Sequence, residues 1–190
     1  MTKYNFDKIT DRTNTNALKT DVLKERYGRD DLIPMWVADM DFESPPAIRE
    51  AIIKRAEHGI FGYTCASEDY YNSIIHWVGT RHHWKIKKDW ITFIPGVVKG
   101  IAFVIDCFTT NTDKVIIQPP VYHPFRIIPT LHHRNIVNNN LILESGQYRM
   151  NLDDLKNKID SSTRLLILCN PHNPGGRVWT RQELVDIAEI

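Results

Sequence analysis

The residues of this 190-residue chain whose types suit chemistry lie in turns. In Ile94-Pro-Gly-Val-Val-Lys-Gly100 a glycine precedes a helix start, where free backbone N–H groups and the positive end of the helix dipole suit a phosphate. The same turn equally serves as a plain strand-to-helix connection, and Lys99 either adds charge or faces solvent. In Gln118-Pro-Pro-Val-Tyr-His-Pro-Phe125, Tyr122 lies beyond a strand end, where an aromatic face stacks on a planar ring or packs beneath its own loop. His123 reads as a surface residue. Cys169-Asn-Pro-His-Asn-Pro-Gly-Gly-Arg-Val-Trp-Thr180 leaves a buried strand, and its Asn173 offers a neutral amide donor. Asn170 reads as a turn stabiliser, Gly175 and Gly176 relieve the backbone, and His172 has no ligand partner at metal spacing.

Two upstream segments add aromatic and acidic residues: Pro34-Met-Trp-Val-Ala-Asp-Met-Asp-Phe42 and His58-Gly-Ile-Phe-Gly-Tyr-Thr64. Asp39 and Asp41 read as loop solvation or helix N-terminal charge rather than a carboxylate dyad. The doublets His82-His83 and His132-His133 lack a carboxylate or cysteine at ligand spacing, so no metal is expected. Cys65, Cys107 and Cys169 are odd in number and form no CxxC, which fits a reducing compartment; they read as small, partly buried hydrophobes, and the cytoplasm is the expected location.

The elements that must hold these turns follow from patterning. With 42% hydrophobic and 25% charged residues the chain is globular in composition, and a net charge of +1 supplies no field for nucleic acid or an anionic membrane. A small molecule or another protein is the expected partner. No apolar run approaches the ~18 residues of a membrane span, and the amino-terminal segment has no apolar core behind its charges, so no secretory leader is expected. From Asp89 onward the pattern predicts strands at 91–94, 115–117, 135–137, 141–143 and 165–169, the last buried on both faces. It predicts helices at 97–108 and about 124–131, and a further one opened by Asn151 as N-cap. Upstream, Ser44 with Pro45 begins a helix bearing Ile48, Ala51 and Ile52, and Tyr71, Ile74, Ile75 and Val78 form a second helical stripe. Asn138 to Asn140 read as a short polar turn.

Alternating strands and helices argue for an α/β fold with a mainly parallel sheet flanked by helices, whose ligands bind at the carboxyl ends of the strands. The candidate turns follow Ile94, Ile117 and Cys169, at such ends. A capping box at Thr180 and Glu183 opens a last helix that reaches Ile190 without a stop signal, so the fold is expected to continue beyond the sequence.

Taken in order, the five segments resemble the fold type I enzymes dependent on pyridoxal 5′-phosphate (PLP), within the class I/II aminotransferase family, and in particular the branch of MalY-type cystathionine β-lyases and PatB-like carbon-sulfur lyases. The resemblance runs from Phe6 to the last helix. It implies that Gly96, Val97 and Val98 bind the cofactor phosphate through main-chain amides, that Tyr122 stacks on the pyridine ring, and that Asn173 hydrogen-bonds the phenolate oxygen. It implies that Tyr63 reaches the active site of the other subunit of a homodimer, and that Trp36 and Asp39 line the substrate entrance. Residues 1–45 would belong to the small domain and the entrance, and 46–190 to an incomplete PLP-binding large domain.

The resemblance also places the Schiff-base lysine, the aspartate on the pyridine nitrogen and the arginine for the substrate carboxylate after the last residue shown. None of the twelve lysines present sits in the expected motif, so no catalytic residue is expected here and the chain alone is expected to be inactive. For a complete protein, β-elimination from a sulfur amino acid is the first expectation and transamination the alternative. A non-catalytic short product is the third.

Overall fold

A computed structural model describes residues 4–190; Met1 to Lys3, the start of the segment in which no leader is expected, lie outside them. The backbone divides into two compact units, one reaching Ser67 and one running from Glu68 to Ile190.

The first unit is mostly irregular, with helices α1 (Leu23–Tyr27) and α2 (Pro46–Glu57). Pro45, not Ser44, is the N-cap of α2, and Pro46 occupies the first turn, where a missing N–H costs no bond. The expected stripe of Ile48, Ala51 and Ile52 is not buried: every residue of α2 is exposed.

The second unit opens with α3 (Glu68–His82), on which Tyr71, Ile74, Ile75 and Val78 are half-buried, as their helical spacing predicts. A single 3-10 turn follows at Lys88–Trp90. Residues 91–94 form no strand, because no described segment pairs with them. Then come α4 (Val97–Phe108), β1 (Lys114–Ile117), α5 (Pro124–Leu131), β2 (Asn135–Asn138), β3 (Ile142–Glu144), β4 (Gln147–Arg149), α6 (Leu152–Lys158), β5 (Thr163–Leu166) and α7 (Arg181–Ala188).

β1 is the central strand of a parallel sheet ordered β2-β1-β5, with Ile116 opposite Val137 on one side and Leu166 on the other. Val115, Ile116 and Ile117 are completely buried, and Ile105 of α4, Phe125 of α5 and Leu155 of α6 are buried with them. β5 was expected to be buried on both faces, yet its residues are only half-buried or exposed. Among the described residues it is an edge strand, and an apolar groove remains between its carboxyl half and α4. β3 and β4 form a separate antiparallel hairpin through Ser145 and Gly146, both at positive φ.

The polar residues after β2 also depart from expectation. Asn138 ends the strand, and Asn139 is wholly buried. Its Nδ2 donates to Asn151 O and Asp154 Oδ2, both at 2.9 Å, while its Oδ1 accepts from the buried Gln118 at 3.0 Å. Asn151 caps α6 as predicted, accepting from Asp154 N at 3.1 Å. Lys158 first, and Asn139 second, hold the Asp154 carboxyl below the ordinary carboxylate value. Cys65 and Cys107 are exposed, against expectation, and only Cys169 is half-buried.

Candidate functional site

The turn that opens α4 is built by Gly96. It is the N-cap of α4 with φ +103° and ψ 143°, a conformation that an L side chain rarely adopts, and a Cβ there would meet nothing within 4 Å. Its own N–H is consumed by Ile94 O at 2.7 Å. Val97 and Val98 are the first residues of the helix, so their N–H groups have no intrahelical carbonyl to bond. Gly96 therefore shapes the turn, and the two valine amides, with that of Lys99 behind them, are its available donors. The helix start lies against the carboxyl half of β5 and the residues after it: Ile94, Gly96 and Val97 line an apolar groove of about 530 Å³ with Leu165 and Leu168.

The Tyr122 loop leaves the buried end of β1. Tyr122 O accepts from Phe125 N at 2.9 Å as α5 begins. The half-buried Tyr122 ring meets His123 and Phe125 edge-on, with centroids 5.0 and 6.1 Å away, which leaves a ring face uncovered by these neighbours. Pro119 O takes Leu141 N at 2.7 Å and so ties the loop to the end of β2.

The third turn follows β5. Asn173 N donates to Cys169 Sγ at 3.2 Å, while the Asn173 side chain is exposed and hydrogen-bonds no described residue. Asn170 Oδ1 accepts from Trp179 N at 3.2 Å, the stabilising role its position suggests, and the buried Trp179 donates its indole N–H to Cys169 O at 2.8 Å. The capping box on α7 is present in both directions, with Glu183 N on Thr180 Oγ1 and Thr180 N on Glu183 Oε2.

β1 and β5 are parallel neighbours, so the Tyr122 and Asn173 loops leave the same end of the sheet, and the α4 start lies against that end of β5. The structure thus brings Val97, Val98, Tyr122 and Asn173 to one edge, as ligand sites in parallel sheets require. A direct bond joins two of the loops: His172, which sequence reasoning set aside, is buried with Nε2 at 2.8 Å from Pro120 O.

In the first unit, Trp36 is half-buried with its indole N–H on Lys19 O at 3.2 Å, and its ring meets Tyr27 edge-on and lies under Arg26. Asp39 and Asp41 both bind Arg12, and the buried Lys19 reaches Asp41 at 2.7 Å and Asp39 O at 3.0 Å. The Lys19 ammonium and then the Arg12 guanidinium lower the Asp41 carboxyl pKa, and Asp39 and then Asp41 raise that of Arg12. The acidic pair is thus neutralised internally by partners 20 or more residues away, which local pattern cannot reveal. Tyr63 lies in a loop with its ring fully in solvent.

The remaining histidine reading needs one correction. His132 does have a carboxylate partner, Asp106 at 2.7 Å, supplied by α4 across the sequence. Among the described residues no group of three or more His, Cys, Asp or Glu is placed to hold a metal. Among the described residues no helix is long and apolar enough to cross a membrane.

Comparison with known proteins agrees with this geometry. The model of the aminotransferase class I and II family matches residues 30–190. Cystathionine beta-lyase PatB of Bacillus subtilis is 44% identical over 98% of this chain and 48% of its own length. Cystalysin from Treponema denticola, whose structure contains a pyridoxal 5′-phosphate cofactor, superposes with a TM-score of 0.91 at 34% identity, covering 98% of this chain and 48% of that one. The PLP-bound C-S lyase from Staphylococcus hominis gives 0.89 at 35%, with the same coverage. The chain therefore spans about half the length of the relatives it matches. With its family model matched over residues 30–190, the chain belongs to the class I and II aminotransferase family.

Proposed function

We propose that this chain is the amino-terminal, cofactor-facing part of a PLP-dependent carbon-sulfur β-lyase of the cystathionine β-lyase kind. The observation that carries the cofactor assignment is the convergence at one end of the sheet of the unbonded α4 amides, the half-buried Tyr122 ring that His123 and Phe125 meet only edge-on, and the Asn173 carboxamide, which hydrogen-bonds no described residue. These residues fit the group: helix amides suit its phosphate, an aromatic face its pyridine ring, and a neutral amide donor its phenolate oxygen. When bound, PLP supplies an electron sink for the carbanion formed at the substrate Cα.

The chain's own residues bind and orient. Val97 and Val98 N–H anchor the phosphate end, Tyr122 fixes the ring plane, and Asn173 donates to the anionic oxygen. Trp36 and Asp39 line the substrate entrance, on a segment held by Arg12 and Lys19. Tyr63, exposed here, reaches the phosphate region of the partner site in a homodimer. Residues 46–190 belong to the cofactor-binding domain of the complete enzyme and residues 1–45 to the small domain and entrance. The groups that hold the cofactor covalently, pair with its ring nitrogen and bind the substrate carboxylate come from outside this chain, which alone is inactive. Three unpaired cysteines suit a reducing cytoplasm.

In β-elimination the Cα proton is removed and a thiolate leaves Cβ and takes up a proton as the thiol; one water then hydrolyses the remaining three-carbon enamine, through its imine, to pyruvate and ammonia. The names of PatB, of cystalysin and of the C-S lyase favour this over amino-group transfer, the second reading offered by the family. The complete protein, given cystathionine, is expected to release thiol and pyruvate in equal amounts without a keto-acid acceptor. Turnover that requires such an acceptor and yields no thiol would establish the aminotransferase instead.

A further inference from the structure

His172 is a buried imidazole in a turn whose neighbours at 171 and 173 are exposed. Its Nε2 lies 2.8 Å from Pro120 O, and a carbonyl only accepts, so Nε2 carries the proton and Nδ1 is left as an acceptor. Nδ1 is buried with no partner among the described residues. Packing alone does not explain this choice, since an apolar ring would fill the space without leaving a polar atom unpaired. Among the described residues the bond to Pro120 is the one side-chain hydrogen bond the imidazole makes.

That bond spans 52 residues of sequence and joins the loop bearing Tyr122 to the turn bearing Asn173. The rest of His172 is fixed from every side. Its N–H donates to Arg177 O at 2.6 Å, its carbonyl accepts from Gly176 N at 2.8 Å, and Trp179 meets the ring edge-on at 5.5 Å. Gly175 is a close approach: a Cβ there would stand 2.9 Å from His172 Cδ2 and 3.1 Å from Tyr148 Cδ2. A side chain at 175 would therefore collide with the ring edge, and glycine leaves the imidazole room to face Pro120.

We infer that His172 is a positioning residue that sets the spacing between the Tyr122 ring and the Asn173 carboxamide. Its functional consequence rests on the proposed cofactor contacts of those two residues. A stacking face and a hydrogen-bond donor must meet one rigid ligand, so their separation has to be fixed before the ligand arrives.

The test is segment-resolved hydrogen exchange on the chain as it stands, which reads the tie with no cofactor present. His172→Gln keeps a side-chain N–H donor, and His172→Phe keeps a ring without one. The amides of Phe125, Arg126 and Ile127, bonded to Tyr122 O and His123 O, report on the loop, and those of β1 report on the sheet. Expected for His172→Phe is exchange roughly 3- to 10-fold faster at 125–127, the scale of one lost hydrogen bond, with β1 unchanged. His172→Gln restores slow exchange. Gly175→Ala, which forces the ring or its neighbour to shift while keeping the imidazole, accelerates the same amides and carries the test if the phenylalanine variant does not fold. Equal exchange in wild type and His172→Phe, failure of glutamine to rescue, or acceleration spread equally through β1 would overturn the inference. A failed cofactor assignment leaves these exchange results untouched, so the two failures are distinguishable.

Discussion

Val97→Pro isolates the contribution of a single helix amide. Val97 is the first residue of α4, where its N–H has no intrahelical acceptor, so proline removes a donor that the fold does not use. The backbone accommodates the change: proline's φ of about −65° is that of a first helical residue, and the preceding residue must be extended with ψ of roughly 120 to 160°. Gly96 already has ψ 143°. Stability is therefore expected to hold or to rise by ~0.4–1 kcal/mol through the stiffer unfolded chain. Phosphate binding should fall. A hydrogen bond to a charged group contributes about 1.5–3 kcal/mol, which is a loss of roughly 12- to 160-fold in affinity if the phosphate sits on this amide. The assay is the fluorescence anisotropy of pyridoxamine 5′-phosphate, which has no aldehyde to react with lysines, titrated with the wild-type and variant chains alongside thermal melts. A variant that melts like wild type and binds the ligand within twofold as well would refute the assignment of the phosphate to this helix start.

The other expectations concern the turn, the acidic network, the ring contacts and the uncovered faces. Gly96→Ala should cost about 1–3 kcal/mol from backbone strain alone, since φ is +103° and no atom obstructs a Cβ; denaturant unfolding measures it. The Asp41 carboxyl has a folded pKa below its unfolded value, so its stabilising effect is present above about pH 4 and is lost as pH falls through the lowered value. The Trp36 indole N–H resonance, on Lys19 O, should shift in acid, and Asp41→Asn should abolish that dependence. In the complete protein, Asn173→Ala should move the pH-dependent absorbance transition of bound cofactor upward, because the anionic oxygen loses a donor, and slow elimination by ~1–3 kcal/mol. Tyr122→Phe should keep most cofactor binding and Tyr122→Ala should lose it, as equilibrium dialysis would show. The chain alone should associate with rising concentration in sedimentation, because β5 is an unpaired edge and α4 exposes Phe103, Val104 and Phe108.

Local punctuation made some elements legible and not others. The bounds of α4 and α5 follow from Gly96 and from Pro124 in the first turn, and the caps at Asn151 and Thr180 are set within three residues of sequence. Strands are different, because a strand exists only with a partner. Residues 91–94 have the composition of one and find none among the described residues, and the apolar run at 165–169 is only half-buried where its pattern predicts cover on both faces. The strand expected at 141–143 is present as β3, one residue later, whereas its partner β4 has no apolar run to announce it, although Ser145-Gly146 is a turn signal at the right place. Among candidate site residues, Val97, Tyr122 and Asn173 were visible because each lies in a turn whose residue types announce it. Arg12 and Lys19 were invisible as partners of Asp39 and Asp41, since the contacts span 20 to 29 residues. His172 was passed over for the same reason, as Pro120 lies 52 residues away.

The most direct measurement of the cofactor assignment is a crystal structure of the chain with pyridoxamine 5′-phosphate. The expected result places the phosphate within hydrogen-bond distance of Val97 N and Val98 N, the pyridine ring on Tyr122 and the ring oxygen beside the Asn173 carboxamide. A phosphate bound elsewhere, with the start of α4 and the Asn173 side chain both untouched by ligand, would contradict it.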